Sequence, residues 1–388
     1  MTRPLSLYLH IPFCRHRCAY CDFNTYTGLD DLRKTYARAL AAEIRQVAAV
    51  AGEERSSVHT IFFGGGTPSL MPPAALAQIV HSVRDHFDLL PGAEISLEAN
   101  PGTVDDVYLE ALCALGVNRL SFGMQSANRA ELALLEREHD FQAVADAVAM
   151  ARAAGFDNVS LDLIYGLPDQ SLAAWEDSLR AALDLAPDHL SLYCLSIEQG
   201  TPMHRWLQQG QIAAPDPDLA ADQYEAACAL LDGGGWEHYE ISNWARPGRA
   251  CRHNLTYWRN GQYLGLGAGA HGHAAGYRYA VVKQPRVYVR RLREGRPRHF
   301  PLSAAVAEAR RLDDQEAMAD TIITQLRLLH EGVDHAAFRR RFGRGVRDVY
   351  GATVDQLLRW ELLQEREGRL LLTRRGWFLS NQVFYRFM

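Results

Sequence analysis

The chain lacks any stretch of about 18 uninterrupted apolar residues, so no membrane span is expected. Its first residues, MTRPLSLYLHIPFC, have no signal-peptide layout and run straight into a cysteine motif that cleavage would remove. No short period repeats along the sequence, which argues against a solenoid. A disulfide framework is missing too. The seven cysteines are odd in number and three of them crowd together, as suits a reducing compartment. The expected location is the cytoplasm, with a peripheral place at the inner membrane as a variant.

What is present begins with those three. Cys14, Cys18 and Cys21 fall in LHIPFCRHRCAYCDF with the spacing Cys-x3-Cys-x2-Cys. Thiolates so close repel one another and are hard to bury without a metal between them; sets of this kind hold zinc or iron–sulfur clusters. Structural zinc wants four protein ligands, and no fourth Cys or paired His follows at finger-like spacing. A [4Fe–4S] cluster on three cysteines keeps one iron open for a small ligand. Cys113, Cys194 and Cys228 stand in apolar surroundings and read as core residues.

At 388 residues, 48% hydrophobic and 22% charged, the composition is that of a soluble globular protein with room for a large and a small domain. The net charge of −5 hides an asymmetry: from Arg278 onward there are 22 basic and 13 acidic residues. A basic tail domain could face nucleic acid, an acidic leaflet, an acidic partner or the acidic main domain.

The first two hundred residues alternate strand-like runs with amphipathic helical stretches. Strands are expected at 5–11, 59–63, 94–98, 119–122, 158–163 and 189–195, and helices at 32–50, 73–86, 141–154 and 172–185. Six strand–helix units predict an α/β fold, a partial (β/α)6 TIM-like barrel with a parallel sheet. Further helices are expected over 218–234, 308–330 and 346–367, then a short strand near 370–373. That suggests a C-terminal helical, winged-helix-like domain. The expected domains are 1–235, 236–300 (a barrel extension with no clear period) and 301–388. Function in such barrels collects at the carboxyl ends of strands. A polar or glycine cluster follows each of the first five: Cys14; Gly64 to Pro68; Glu98 to Pro101; Gln125; Asp162 with Tyr165 to Pro168.

The cysteine motif resembles that of the radical S-adenosylmethionine (SAM) superfamily, whose open iron takes the amino and carboxylate groups of SAM. On that resemblance Gly65, Gly66 and Thr67 would touch SAM. Glu98 and Asp162 read either as ligands of its ribose or sulfonium region or as a salt bridge on the barrel rim. Gln125 can donate and accept toward a ribose, and Arg137 can fork onto the SAM carboxylate. Tyr8 and Tyr20 match aromatic positions of the same pocket. The Gly265-to-His271 run opens no βαβ unit, so a dinucleotide fingerprint is a poor reading; tight packing is expected, with His271 near the adenine.

Cys251 to Arg259, if helical, sets His253 above Tyr257 and Asn254 above Trp258. Such a histidine is often structural, yet His ligates haem iron, aromatic rings suit a porphyrin, and Arg252 and Arg259 could meet propionates. LYLHIPFC, CAYCDF, FFGGGTPSL, SLEANPG, LSFGMQS, LDLIYGLP and HNLTYW together resemble the HemW haem chaperones, relatives of oxygen-independent coproporphyrinogen III oxidase. That resemblance runs through nearly the whole chain. It implies a [4Fe–4S] cluster on Cys14, Cys18 and Cys21, bound SAM, and haem at His253, Asn254, Tyr257 and Trp258 for delivery to cytochromes or other haemoproteins. Phe23 stands where the oxidase has a further Cys, and the oxidase's N-terminal extension has no counterpart; both point away from porphyrinogen decarboxylation. The alternatives are a radical SAM oxidoreductase acting on coproporphyrinogen III and a nucleic-acid-modifying enzyme using Arg339, Arg340, Arg341, Arg344 and Arg347.

Overall fold

The computed structural model describes residues 4–52 and 55–388. Strands and helices alternate from the start: β1 Leu5–Ile11, α1 Arg33–Ala49, β2 Ser57–Gly65, α2 Pro73–His86, β3 Asp88–Ala99 and α3 Asp106–Leu115. β4 Arg119–Gln125, α4 Arg129–Leu134, α5 Phe141–Ala153, β5 Val159–Tyr165, α6 Leu172–Asp184 and β6 His189–Cys194 follow. The six strands pair in chain order, all parallel. Local chemistry sets the helix starts: Asp105, Asn128, Asp140 and Ser171 each accept a backbone N–H of the first turn.

Each strand has two unlike faces. Leu7 and Leu9, Ile61 and Phe63, Leu120 and Phe122, and Leu161 and Leu163 are fully shielded in the core under the helices. The alternate positions point inward and are mostly polar: Ser6, Tyr8 and His10; Thr60; Glu94, Ser96 and Glu98; Arg119 and Ser121; Ser160 and Asp162; His189, Ser191 and Tyr193. A filled (β/α)8 barrel carries branched apolar side chains there. This one keeps polar groups and open space.

The hydrogen-bonded sheet is open among the described residues. Among the described residues β1 and β6 are not paired to each other, and the twelve-stranded sheet has a linear order. After α7 Pro202–Gln208 and α8 Pro217–Asp232, β7 Glu237–Glu240 and β8 Asn243–Ala245 extend the β6 edge antiparallel. After α9 Arg252–Trp258, β9 Tyr263–Leu266 joins β1 in parallel. β10 His271–Ala274, β11 Tyr277–Val281 and, beyond α10 Pro285–Glu294, β12 Val306–Arg311 continue that edge antiparallel. The segment without a visible period thus builds both margins of the sheet.

The tail runs α11 Asp314–Gln325, β13 Val333–Asp334, α12 His335–Phe342, α13 Val346–Arg359, β14 Leu363–Arg366 and β15 Arg369–Leu372. This is the element order of a winged helix, around its own core of Ile322, Val333, Phe338, Val354 and Leu370. Two helix expectations need correction. Residues 308–311 belong to strand β12, because pairing with β11 overrides the helical propensity of VAEARR; α11 starts only at the capping box of Asp313 and Glu316. α13 ends at Arg359, and 363–366 turns back through Glu367 and Gly368, both at positive φ, into β15. The tail arginines are engaged locally: Arg339 with Asp348, Arg347 with Asp355 and Glu365, and Arg341 over the Phe342 ring.

Candidate functional site

The loops at the carboxyl ends of β1–β6 surround a cleft of about 1390 Å³. Cys14, Cys18, Cys21, Tyr20, Gly65, Gly66, Thr67, Glu98, Gln125, Arg137 and Asp162 all line it. Tyr8 sits one layer deeper, in the inner space below. The structure therefore brings together the residues expected to hold the cluster and SAM. It does not bring the HNLTYW residues to this cleft.

The cysteine loop is fastened from both sides. The Cys14 N–H donates to the Tyr26 carbonyl at 3.0 Å, the Gly66 N–H to Ile11 at 2.8 Å and the Thr67 N–H to Phe13 at 2.8 Å. The Thr67 hydroxyl points at Cys14 Sγ (3.6 Å), and Arg137 Nη1 at Cys18 Sγ (3.5 Å). Gly65 has φ +118°, and a Cβ on it would lie 2.5 Å from the His10 ring; one on Gly66 would lie 2.7 Å from the Phe13 carbonyl and 3.0 Å from Cys14 Sγ. Side chains are excluded where the loop passes the thiols. Burial, and the neighbouring thiols, push the Cys14 and Cys21 thiols up. Among the described residues no trio of His, Cys, Asp or Glu converges tightly enough to hold one metal ion. A cubane asks for a wider triangle, since each thiolate meets a different iron.

Arg137 is held by Asn100 Oδ1 at 2.7 Å and the Gly123 carbonyl at 2.8 Å, while its buried Nε has no partner among the described residues. That orphan donor fits a site made for an added anionic group. Gln125 takes φ +66° beyond an irregularity in the β4–β5 pairing, which turns its side chain onto the cleft. Glu98 accepts the Gly65 N–H at 3.0 Å, and burial together with the Asp162 charge pushes its carboxyl up to about 7. Asp162 is also raised by burial, against the Ser121 hydroxyl that donates to it at 3.0 Å.

Below these carboxylates lies a second space of about 540 Å³, lined among others by Arg119, Ser191 and Tyr193, with His253, Asn254 and Tyr257 as its floor. The HNLTYW residues do form a helix, α9, and it plugs the amino end of the barrel. Its N-cap Cys251 provides no side-chain cap. Glu94 does so from across the barrel, accepting the N–H groups of Arg252 at 2.9 Å and His253 at 3.0 Å. Both His253 ring nitrogens are engaged, Nδ1 with Thr60 Oγ1 and Nε2 with Tyr257 Oη, each at 2.8 Å. Phe62 stacks on the ring at 5.1 Å, and burial pushes the imidazole down to about 3. Trp258 lies under the Arg327 guanidinium, outside the barrel. Arg259 pairs with Glu331, and Arg252 donates to the Gly92 carbonyl.

Four residues at the site lay outside the sequence expectations: Arg119, Ser121, Ser191 and Tyr193. Strict alternation along β4 and β6 marks them as inward-facing. Cys194 is a correction: it is exposed and lines the cleft, and Cys113 is exposed too, because both stand where their elements meet solvent; only Cys228 of the three is buried. The glycine run at β9 does pack tightly, since a Cβ on Gly265 would lie 1.7 Å from the His271 carbonyl.

Comparison with known proteins agrees with this geometry. A family model described as the radical SAM superfamily matches residues 8–182, and one described as the HemN C-terminal domain matches 312–379. Coproporphyrinogen III oxidase (HemN) from Escherichia coli shares the fold with a TM-score of 0.85 at 24% identity, over 100% of this chain and 90% of that one. The architecture is thus that of a radical SAM protein. The chain is 40% identical over 386 residues to the haem chaperone HemW of Mycobacterium tuberculosis, covering 98% of this chain and 94% of that protein. For HemW of Bacillus subtilis the figures are 34% over 386 residues and 99% of each. The chain belongs to the HemW family. No helix among the described residues is long and apolar enough to cross a membrane.

Proposed function

We propose that this chain is a haem chaperone that carries a [4Fe–4S] cluster and SAM, binds haem and passes it to acceptor haemoproteins such as cytochromes. The observation that carries the reading is the convergence of Cys14, Cys18 and Cys21 with the other cleft candidates, on a chain that matches HemW proteins end to end. When bound, the cluster supplies an iron open to the methionyl end of SAM.

The chain's own residues do the holding. Gly65 and Gly66 let the backbone approach SAM, and Thr67 stays beside Cys14. Arg137 offers its unused Nε to the carboxylate. Glu98, Gln125 and Asp162 take the ribose and sulfonium end, and Tyr8 and Tyr20 wall the pocket. His253, Asn254 and Tyr257 support the haem site from beneath, with Trp258 anchoring their helix against Arg327. The phenyl ring of Phe23, exposed beside the cysteines, has none of the redox or ligand chemistry of a thiol. That favours transfer over porphyrinogen oxidation.

An anaerobic haem titration of cluster-loaded protein, with and without SAM, followed by exposure to an apo-cytochrome, tests this. Haem uptake and its appearance in the cytochrome are expected. Failure to bind haem with an intact cluster, or turnover of coproporphyrinogen III, overturns the proposal.

A further inference from the structure

A third space, of about 1280 Å³, opens beside the cleft between the cysteine loop and the β9–β11 margin of the sheet. Part of that space is open solvent, so a flat tetrapyrrole has room here with one edge toward solvent. Its walls include Phe23, Tyr26 and Tyr263, and its rim carries Arg17, Lys283 and His271, with Asp22 and Glu98 as the acidic groups of the lining. Phe23 is 62% exposed, the more open of the two exposed phenylalanines among the described residues, Phe378 being the other. The floor is rigid. Asn24 Nδ2 donates to the Ala268 and Lys283 carbonyls, both at 2.9 Å; Tyr26 Oη donates to the Lys283 carbonyl at 3.2 Å; and His10 Nε2 donates to the Asn24 carbonyl at 3.0 Å.

The two candidate histidines differ in availability. His253 has both nitrogens occupied and a ring stacked on its face, so iron ligation there would dismantle the plug. His271 is exposed at the start of β10, and its imidazole makes no hydrogen bond, ion pair or ring contact with any described residue. Tyr257 links the two places. It bonds His253 on one side and meets the Tyr263 ring edge-on at 4.6 Å on the other, so the plug helix shapes a wall of the groove without entering it.

We infer that haem binds in this groove with His271 as its axial ligand, its ring against Phe23 and Tyr263, and its propionates toward Lys283 and Arg17. The inference rests on the haem-chaperone reading and names the site that reading leaves open.

The test titrates hemin into the anaerobic, cluster-loaded full chain and follows the Soret band and affinity in wild type, His271→Ala, His271→Met and His253→Ala. His271→Ala is expected to weaken binding at least tenfold and shift the Soret band, with free imidazole restoring both. His271→Met should bind with a spectrum unlike either. Hemin dimethyl ester should bind more weakly than hemin to wild type but equally to Lys283→Gln/Arg17→Gln. A His271→Ala variant with wild-type spectrum and affinity overturns the site, whatever His253→Ala does. Wild type that binds no hemin overturns the chaperone reading instead. Cluster absorbance and melting of each variant separate ligand loss from misfolding.

Discussion

At the carboxyl ends of the six parallel strands, loops stand apart around a cleft, with glycines thinned to bare backbone and an arginine donor left over. At the amino ends a single seven-residue helix fills the opening; its first N–H groups, His253 and Thr256 are bonded by side chains from β1, β2 and β3, while the buried Trp258 indole N–H has no partner among the described residues. The same strands serve both ends. Among the described residues, one end leaves Arg137 Nε unpaired beside an open cleft, while the other commits both nitrogens of His253 and the first N–H groups of its helix. Signature residues alone therefore do not distinguish a ligand site from a structural plug; the difference lies in whether their polar atoms are already committed.

Substitutions at the two ends should fail in different ways. The largest effect is expected from Cys14→Ala, which on the proposed reading removes one thiolate that would hold the cluster. Bound iron and the visible absorbance of the anaerobically reconstituted protein should fall to background while the fold persists. Gly66→Ala should approach the same loss, since its Cβ meets Cys14 Sγ and the Phe13 carbonyl; full iron occupancy in that variant would contradict the close approach. At the other end Glu94→Ala should leave iron content unchanged yet lower stability by about 1–3 kcal/mol in denaturant titration, because it strands buried N–H groups of α9. An unaltered midpoint would show that the plug needs no such cap.

The smallest effect concerns Glu98. Its folded carboxyl is raised from 4.5 to about 7, so the fold holds that proton more tightly than the unfolded chain does. Its contribution to stability is fully present below pH 4.5 and is lost as pH rises through about 7. Ligand-free protein should show this decline between those limits, and Glu98→Gln, which cannot ionise, should flatten it. Identical pH profiles for the two proteins would remove Glu98 from the account.

The open end was largely legible in the sequence, because the candidate residues that line the cleft come in short clusters that punctuate each strand: three cysteines, three glycines, a carboxylate, an amide. The closed end was legible only as a motif. HNLTYW could be seen to form a helix with His253 over Tyr257, but the seat of that helix depends on Glu94, 158 residues earlier. Thr60 is similarly remote, 193 residues from His253. Spacing carries no signal of such contacts. The edge strands β7–β10 hid for a related reason: at three or four residues each, they are defined by the neighbour they join rather than by a period of their own. Arg119 and the serines of β4 to β6 were readable in principle, since they occupy every second position.

The inward-facing layer of hydroxyls, carboxylates and a buried guanidinium has a bearing on how such a molecule can change over time. Burial of the apolar layer beneath the helices supplies most of the cohesion. The lumen contributes less of it, although its buried charges, Arg119 with Glu98 and Asp162, must change together. One shell can then accommodate unrelated cargoes or reactions while its exterior stays constant.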